Sequence, residues 1–219
     1  MVTGGRRARR GKPWFAKKYS AMELATKAYR GIGYLRGLVN SEMLHYRTSG
    51  DTTADQNGVV THLTAIGQGD TDALRTGNSI FVRKLLVRWS GFQNVTNTPN
   101  GTLRCVVFID VQQVADTAPT MADVLQTTAS TVAPLSSLND ANLGRFKILY
   151  NKIVNIGNGS NGSHTEELYL DMEHHVRYNG TASTDIQKGG IYVGFISDQS
   201  TAGTVPTVRS YTVTSYHDN

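Results

Sequence analysis

HTEELYLDMEHHVRY, residues 164–178, decides the fold class. Leu168, Leu170, Met172 and His174 share one face, and Tyr169, Asp171 and Glu173 the other. That two-residue period is the mark of a strand with one buried and one wet side. The same reading extends outward to strands at about 57–66 (NGVVTHLTAI), 79–95 (SIFVRKLLVRWSGFQNV), 101–113 (GTLRCVVFIDVQQ), 145–156 (RFKILYNKIVNI), 164–177, 190–198 (GIYVGFISD) and 205–217 (VPTVRSYTVTSYH). An eighth strand is expected before residue 57 or near 127–135. TNTPNG, GNGSNGS, YNGTAST and QKGG supply turn chemistry between strands. The only helical interruption in this body is PTMADVL, with Pro119 at the first helical position.

Long strands, one short helix and long connections at 66–79 and 113–144 predict an all-β fold. The expected form is a single eight-stranded antiparallel jelly roll of two four-stranded sheets, not a tight up-and-down barrel. The strands alternate too regularly for a parallel α/β sheet. At 219 residues, with 39% hydrophobic and 18% charged side chains, the chain suits one large β domain. No run of 18 apolar residues occurs, so no membrane-spanning helix is expected. The opening MVTGGRRARRGKPWFAKK is charged and lacks an apolar stretch, so no secretory signal is expected either.

A net charge of +5 conceals a strong asymmetry. Residues 1–47 hold eleven basic side chains against Glu23 and Glu42, a net of +9; the other 172 residues hold eleven basic and fifteen acidic, a net of −4. We therefore divide the chain into a basic arm, 1–47, and a shell domain, 48–219. A head of this kind seeks a polyanion. Its candidate nucleic-acid contacts are Arg6, Arg7, Arg9, Arg10, Lys12, Lys17, Lys18, Lys27 and Arg30. Trp14, Phe15, Tyr19 and Tyr29 are interleaved with them, placed either to stack on unpaired bases or to pack beneath the domain. Residues 1 to about 16 read as disordered until an anion orders them. Residues 18–39 read as an amphipathic helix with Ser20 and Glu23 as a capping box, weakened in its second half by Gly31, Gly33 and Gly37 at roughly 1 kcal/mol each.

Enzymatic chemistry is not legible. The histidines, His45, His62, His164, His174, His175 and His217, include no His-x-His pair, and adjacent His174 and His175 fall on opposite faces of a strand. The one cysteine, Cys105, lies in the apolar run LRCVVFI and reads as core. No nucleophile-elbow, zincin or phosphate-loop pattern is present. Five sequons, at Asn94, Asn100, Asn158, Asn161 and Asn179, read as hairpin tips. Asp70, Asp72 and Asp218 are modest carboxylate clusters; if copies met around symmetry axes, a hard cation such as calcium would relieve their crowding.

GQGDTDALRTGNSIFVRKLLVRWSG, LRCVVFIDVQQVADTAPTMADVL, GRFKILYNKIVNI, RYNGTAS, GIYVGFISD and a penultimate aspartate follow the basic arm in that order. In this the chain resembles the coat proteins of satellite tobacco necrosis virus and the similar single jelly-roll capsid proteins of small circular single-stranded DNA viruses. The resemblance implies a non-enzymatic capsid protein that self-assembles into a 60-copy T=1 icosahedral shell, its arm binding a single-stranded viral genome. It implies a place in the virion, with passage through the host nucleus if the genome is DNA, and no membrane partner. It requires no cofactor, but implies structural Ca2+ at subunit interfaces, held by Asp70, Asp218 and the backbone carbonyls of Thr76 and Ser79. The family's further ligand, a glutamate in the arm helix, has no counterpart: Leu44 stands near that position and Glu42 two residues before it. The contrasting expectation is a non-viral jelly-roll binding module, lectin-like or trimeric, with a basic tail.

Overall fold

A computed structural model describes residues 20–38, 42–93, 100–113, 116–126, 133–157, 162–200 and 205–218. It divides into two compact units, residues 1–41 and 42–219. In the first, α1 (Ala21–Leu38) opens with the expected capping box. The Ser20 amide donates to Glu23 Oε2 at 2.8 Å and the Glu23 amide to Ser20 Oγ at 3.2 Å. The helix runs through Gly31, Gly33 and Gly37 without a break. Leu35, Arg36 and Leu38, all good helix formers, carry it past them.

The second unit is a jelly roll of nine strands. Strand order is β1-β9-β3-β6-β7 in one sheet and β2-β8-β4-β5 in the other, all neighbours antiparallel. The strands are β1 (Leu44–Thr53), β2 (Val59–His62), β3 (Ser79–Phe92), β4 (Gly101–Asp110), β5 (Phe146–Ile156), β6 (Ser163–Tyr178), β7 (Ile186–Lys188), β8 (Gly190–Ser197) and β9 (Thr207–Asp218). The expected extra strand is therefore β1, before residue 57. The first sheet has five members, not four, because β7 adds three residues at its edge. β7 turns into β8 at Gly189, whose φ of +82° suits a residue without Cβ. β1 begins at Leu44, so residues 44–47, grouped with the arm by charge, form the first part of a strand.

The sheets enclose one core, with Trp89, Leu103, Cys105, Val107, Val193 and Phe195 among its fully or almost fully buried members. A second, smaller core lies on the other side of the four-stranded sheet. Val106, Phe108, Tyr192 and Ile196 there are covered by Met121, Val124 and Leu125. The cover comes from the connection between β4 and β5, which holds α2 (Met121–Val124) and 3-10 turns at Ala133–Leu135 and Asp140–Asn142. β4 is thus packed on both sides, which explains its unbroken apolar run. Helix α2 starts two residues later than Pro119 suggested: Thr120 is its N-cap, in a capping box with Asp123, and Pro119 precedes the cap. α2 presses on Gly194, where an added Cβ would lie 2.2 Å from Met121 Sδ.

Candidate nucleic-acid interface and the loop clasp

Of the arm residues, Lys27 and Arg30 stand on exposed turns of α1, where Tyr29 is 81% exposed. Glu23 lies one turn before Lys27, an i,i+4 spacing. Arg6, Arg7, Arg9, Arg10, Lys12, Lys17 and Lys18, with Trp14, Phe15 and Tyr19, lie outside the described residues.

The outward face of the five-stranded sheet is the second feature. β1 contributes His45, Arg47, Ser49 and Asp51, paired in register with Ser215, Val213, Tyr211 and Arg209 of β9. β3 contributes Lys84, Leu86 and Arg88, opposite Asp171, Tyr169 and Glu167 of β6. Arg83, at a bulge in β3, meets Glu173 at 3.3 Å. Arg177 pairs with Lys188 at the β7 end. Arg209 grips Asp51 with two hydrogen bonds of 2.8 Å, and that pairing holds the Asp51 carboxyl below the usual range. Sequence reading missed this face, because it counted charge along the chain and not across paired strands.

The third feature is the loop between β2 and β3, which carries GQGDTDALRTGN. Arg75 is fully buried there. Its Nε donates to the Ile66 carbonyl at 3.0 Å, and its Nη1 and Nη2 to the carbonyls of Gly77 and Gly180. The guanidinium lies 3.9 Å from the centre of the Tyr178 ring. Asp218 closes the same loop: Oδ2 accepts the Thr76 amide at 2.6 Å and the Thr76 hydroxyl. The Thr76 carbonyl accepts from Gln68 Nε2 at 2.7 Å. The structure thus joins Asp218 to Thr76, leaves Asp70 exposed in the loop, and places Ser79 at the start of β3 opposite Arg177. Within one copy Asp218 and Thr76 form a hydrogen-bonded clasp, and Asp70 and Ser79 stand outside it. Among the described residues no three acidic, histidine or cysteine side chains gather in a way that could hold a metal. Beside the clasp, an open groove of about 530 Å3 runs past Glu42, His45, Arg47 and Asp72.

The histidines are spread through the body. His62 stacks on Tyr192 at 4.5 Å, and burial pulls its pKa down to about 4. His174 Nε2 donates to the Gly189 carbonyl, 2.8 Å away. His164 and Lys152 both reach Glu166, at 3.0 and 2.7 Å. Burial pushes the Glu166 carboxyl up, yet these hydrogen bonds outweigh it and hold the pKa at about 2. Cys105 is fully buried, and burial raises its thiol pKa well above the ordinary value. Asn179 donates to Asp116 Oδ1 at 2.9 Å, a contact that ties two loops together at this sequon.

The sequence profile of the satellite tobacco necrosis virus coat protein family matches residues 34–218. The chain belongs to that family. Membership makes it a viral coat protein, a component of the virion. It is 27% identical over 139 residues to the coat protein of Maize white line mosaic Satellite virus, which covers 62% of each chain. The match therefore spans less than two thirds of that relative. Similar solved structures include Desmodium yellow mottle tymovirus (11% identity, TM-score 0.35, covering 80% of this chain and 87% of that one). The BFDV capsid protein, solved as a 60-mer, shows 10% identity and a TM-score of 0.32, covering 80% of this chain and 91% of that one.

Proposed function

We infer that this coat protein closes into a T=1 shell of 60 copies and packages single-stranded nucleic acid through its basic arm. The carrying observation is the charge step at the start of the jelly roll: +9 over residues 1–47 against −4 over the rest. A closed point-group shell requires identical copies with complementary surfaces, and a rigid two-core jelly roll supplies them. Sixty arms would bring 540 positive charges, enough to neutralise on the order of 500 phosphates, with counterion release driving uptake. Contacts of this kind carry no sequence information. Calcium enters this reading only between copies: exposed Asp70 offers a carboxylate, and Asp218 would have to share the oxygens that hold Thr76.

Electron microscopy of the full-length protein at moderate salt tests the shell, with uniform closed particles of about 20 nm expected. Monomers or trimers alone, even with added single strands and calcium, would favour the lectin-like or trimeric binding module. Replacing Arg6, Arg7, Arg9 and Arg10 together with Ala should reduce the nucleic acid recovered in particles; unchanged content refutes the charge argument. Chelation by EGTA should loosen the particles if calcium bridges copies, and leave them intact if it does not.

A further inference from the structure

Asparagine followed by glycine can react without an enzyme. Glycine puts no side chain beside its own amide nitrogen, so that nitrogen can approach the side-chain carbonyl carbon of the asparagine before it. The pair occurs at Asn57, Asn100, Asn158, Asn161 and Asn179. The fold treats these pairs differently.

Asn57 and Asn179 are matched in exposure: each asparagine is exposed and each following glycine half-buried. Their glycine amides are not matched. The Gly58 amide donates to the carbonyl oxygen and to Oδ1 of Asp55, at 3.2 and 2.9 Å. Asn57 is held on the same residue, its amide on Asp55 Oδ1 at 2.9 Å and its Nδ2 on Oδ2 at 3.2 Å. Turning the Gly58 nitrogen toward Asn57 would break those bonds. Gly101, after Asn100, is buried at the start of β4 in register with Ile156. The Gly180 amide meets no acceptor among the described residues.

The groups on either side of that nitrogen are anchored. The Gly180 carbonyl accepts from buried Arg75, and the Asn179 amide donates to the Asp185 carbonyl at 2.9 Å. Asn179 Nδ2 donates to Asp116 Oδ1 at 2.9 Å. Asp116, in the connection between β4 and β5, is the one non-glycine among the described residues with a positive φ, +54°. Asparagine and aspartate adopt this left-handed backbone more readily than other side chains, but still uncommonly. The contact from Asn179 therefore helps to hold a turn that the backbone alone disfavours.

We propose that Asn179 is a site of spontaneous deamidation in the folded protein, and that the acid formed there unties the loop of Asp116. The Gly180 nitrogen bonds to Asn179 Cγ, and its proton passes through solvent to the departing Nδ2. The bond from Cγ to Nδ2 breaks, and ammonia leaves. Water then opens the cyclic imide at either carbonyl, giving aspartate or isoaspartate. One water is consumed and one ammonia released, with no change of oxidation state. The product faces Asp116 with a carboxylate where an amide donated, so attraction becomes like-charge repulsion. The isoaspartyl form also carries the backbone through an added carbon, which displaces Gly180 from Arg75. The change runs one way, so it marks the age of a copy whatever its assembly or cargo.

The test ages the full-length protein at neutral pH in heavy-oxygen water, folded and in denaturing urea, and maps tryptic peptides by mass spectrometry. Cleavage after Arg177 and Lys188 isolates Asn179, and cleavage after Arg47 and Arg75 isolates Asn57. In the folded chain Asn179 should take up label about ten-fold faster than Asn57, because the Gly58 amide must first give up its hydrogen bonds. In urea the two should react alike. Equal rates in the folded chain, no label at Asn179, or the same ratio in urea overturns the site. Asn179→Asp supplies one product directly and should speed hydrogen exchange around residues 116 and 179–185, as ageing of the unaltered chain does. Exchange in Asn179→Asp that matches the fresh, unaltered chain overturns the untying.

Discussion

The two sheets of this jelly roll treat their outer faces in opposite ways. The four-stranded sheet lays an aromatic row across all its strands, from His62 through Tyr192 and Phe108 to Phe146, with ring centres 4.5, 5.6 and 5.4 Å apart. It then buries the middle of that row under α2 and its flanking turns. The five-stranded sheet leaves its tyrosines and arginines in the open and adds short-range ion pairs between strands. One face is finished as core; the other is kept as surface.

The largest test of that contrast is Phe108→Ala, which empties the centre of the covered row. It should destabilise the protein by about 3–5 kcal/mol, read as a shift in the urea midpoint. A loss below about 1 kcal/mol would mean that the cover over the four-stranded sheet is loosely held. Next is Arg75→Ala, which strips partners from the carbonyls of Ile66, Gly77 and Gly180. The expected cost is about 3 kcal/mol, with faster hydrogen exchange confined to the loops around residues 66–77 and 180.

The covered row also has a pH signature. His62 has an ordinary pKa of 6.5 and a folded value of about 4, so the unfolded chain takes up the proton first. Its stability contribution is complete above pH 6.5 and is lost as pH falls toward 4, by at most about 3 kcal/mol. His62→Phe should flatten the fall in urea midpoint over that window. Glu166, depressed from 4.5 to about 2, works lower: its contribution is present above pH 4.5 and disappears toward 2. The two residues therefore separate along the pH axis.

Least is expected from the open face. Arg88→Ala removes an exposed pair with Glu167 and should change stability by less than about 1 kcal/mol. A larger loss would show that the face is part of the folding core after all.

Much of this was legible in the sequence. Alternation in residues 164–178 marked β6 because one side of that strand is wet, and Ser20 with Glu23 marked the start of α1 through a local, reciprocal hydrogen bond. β7 was not legible, since three residues are too few to show a period. The short span of β2 was hidden too: Leu63, Thr64 and Ile66 are as buried as strand residues while belonging to a loop. Arg75 was visible in the quoted motif, but nothing in the order of letters says that a guanidinium is sunk among carbonyls. The open face needed strand register, because Arg47, Lys84, Arg88 and Tyr169 come from three segments spread over more than a hundred residues. Asp218 was singled out for a cation, and its first partner is the Thr76 amide.

One further consequence belongs to Lys152 and Glu166. β5 ends its sheet, and β6 is paired on its outer side only at Arg177 and Tyr178, so both offer a long row of unmatched backbone groups. Such rows invite strand addition and fibre growth. Here the inner lining between those rows is an ammonium, a carboxylate and an imidazole where a sandwich would hold aliphatic side chains. A strand arriving from another copy would have to seal them from water, at a cost its new hydrogen bonds do not recover. Strand addition along these margins is thereby disfavoured.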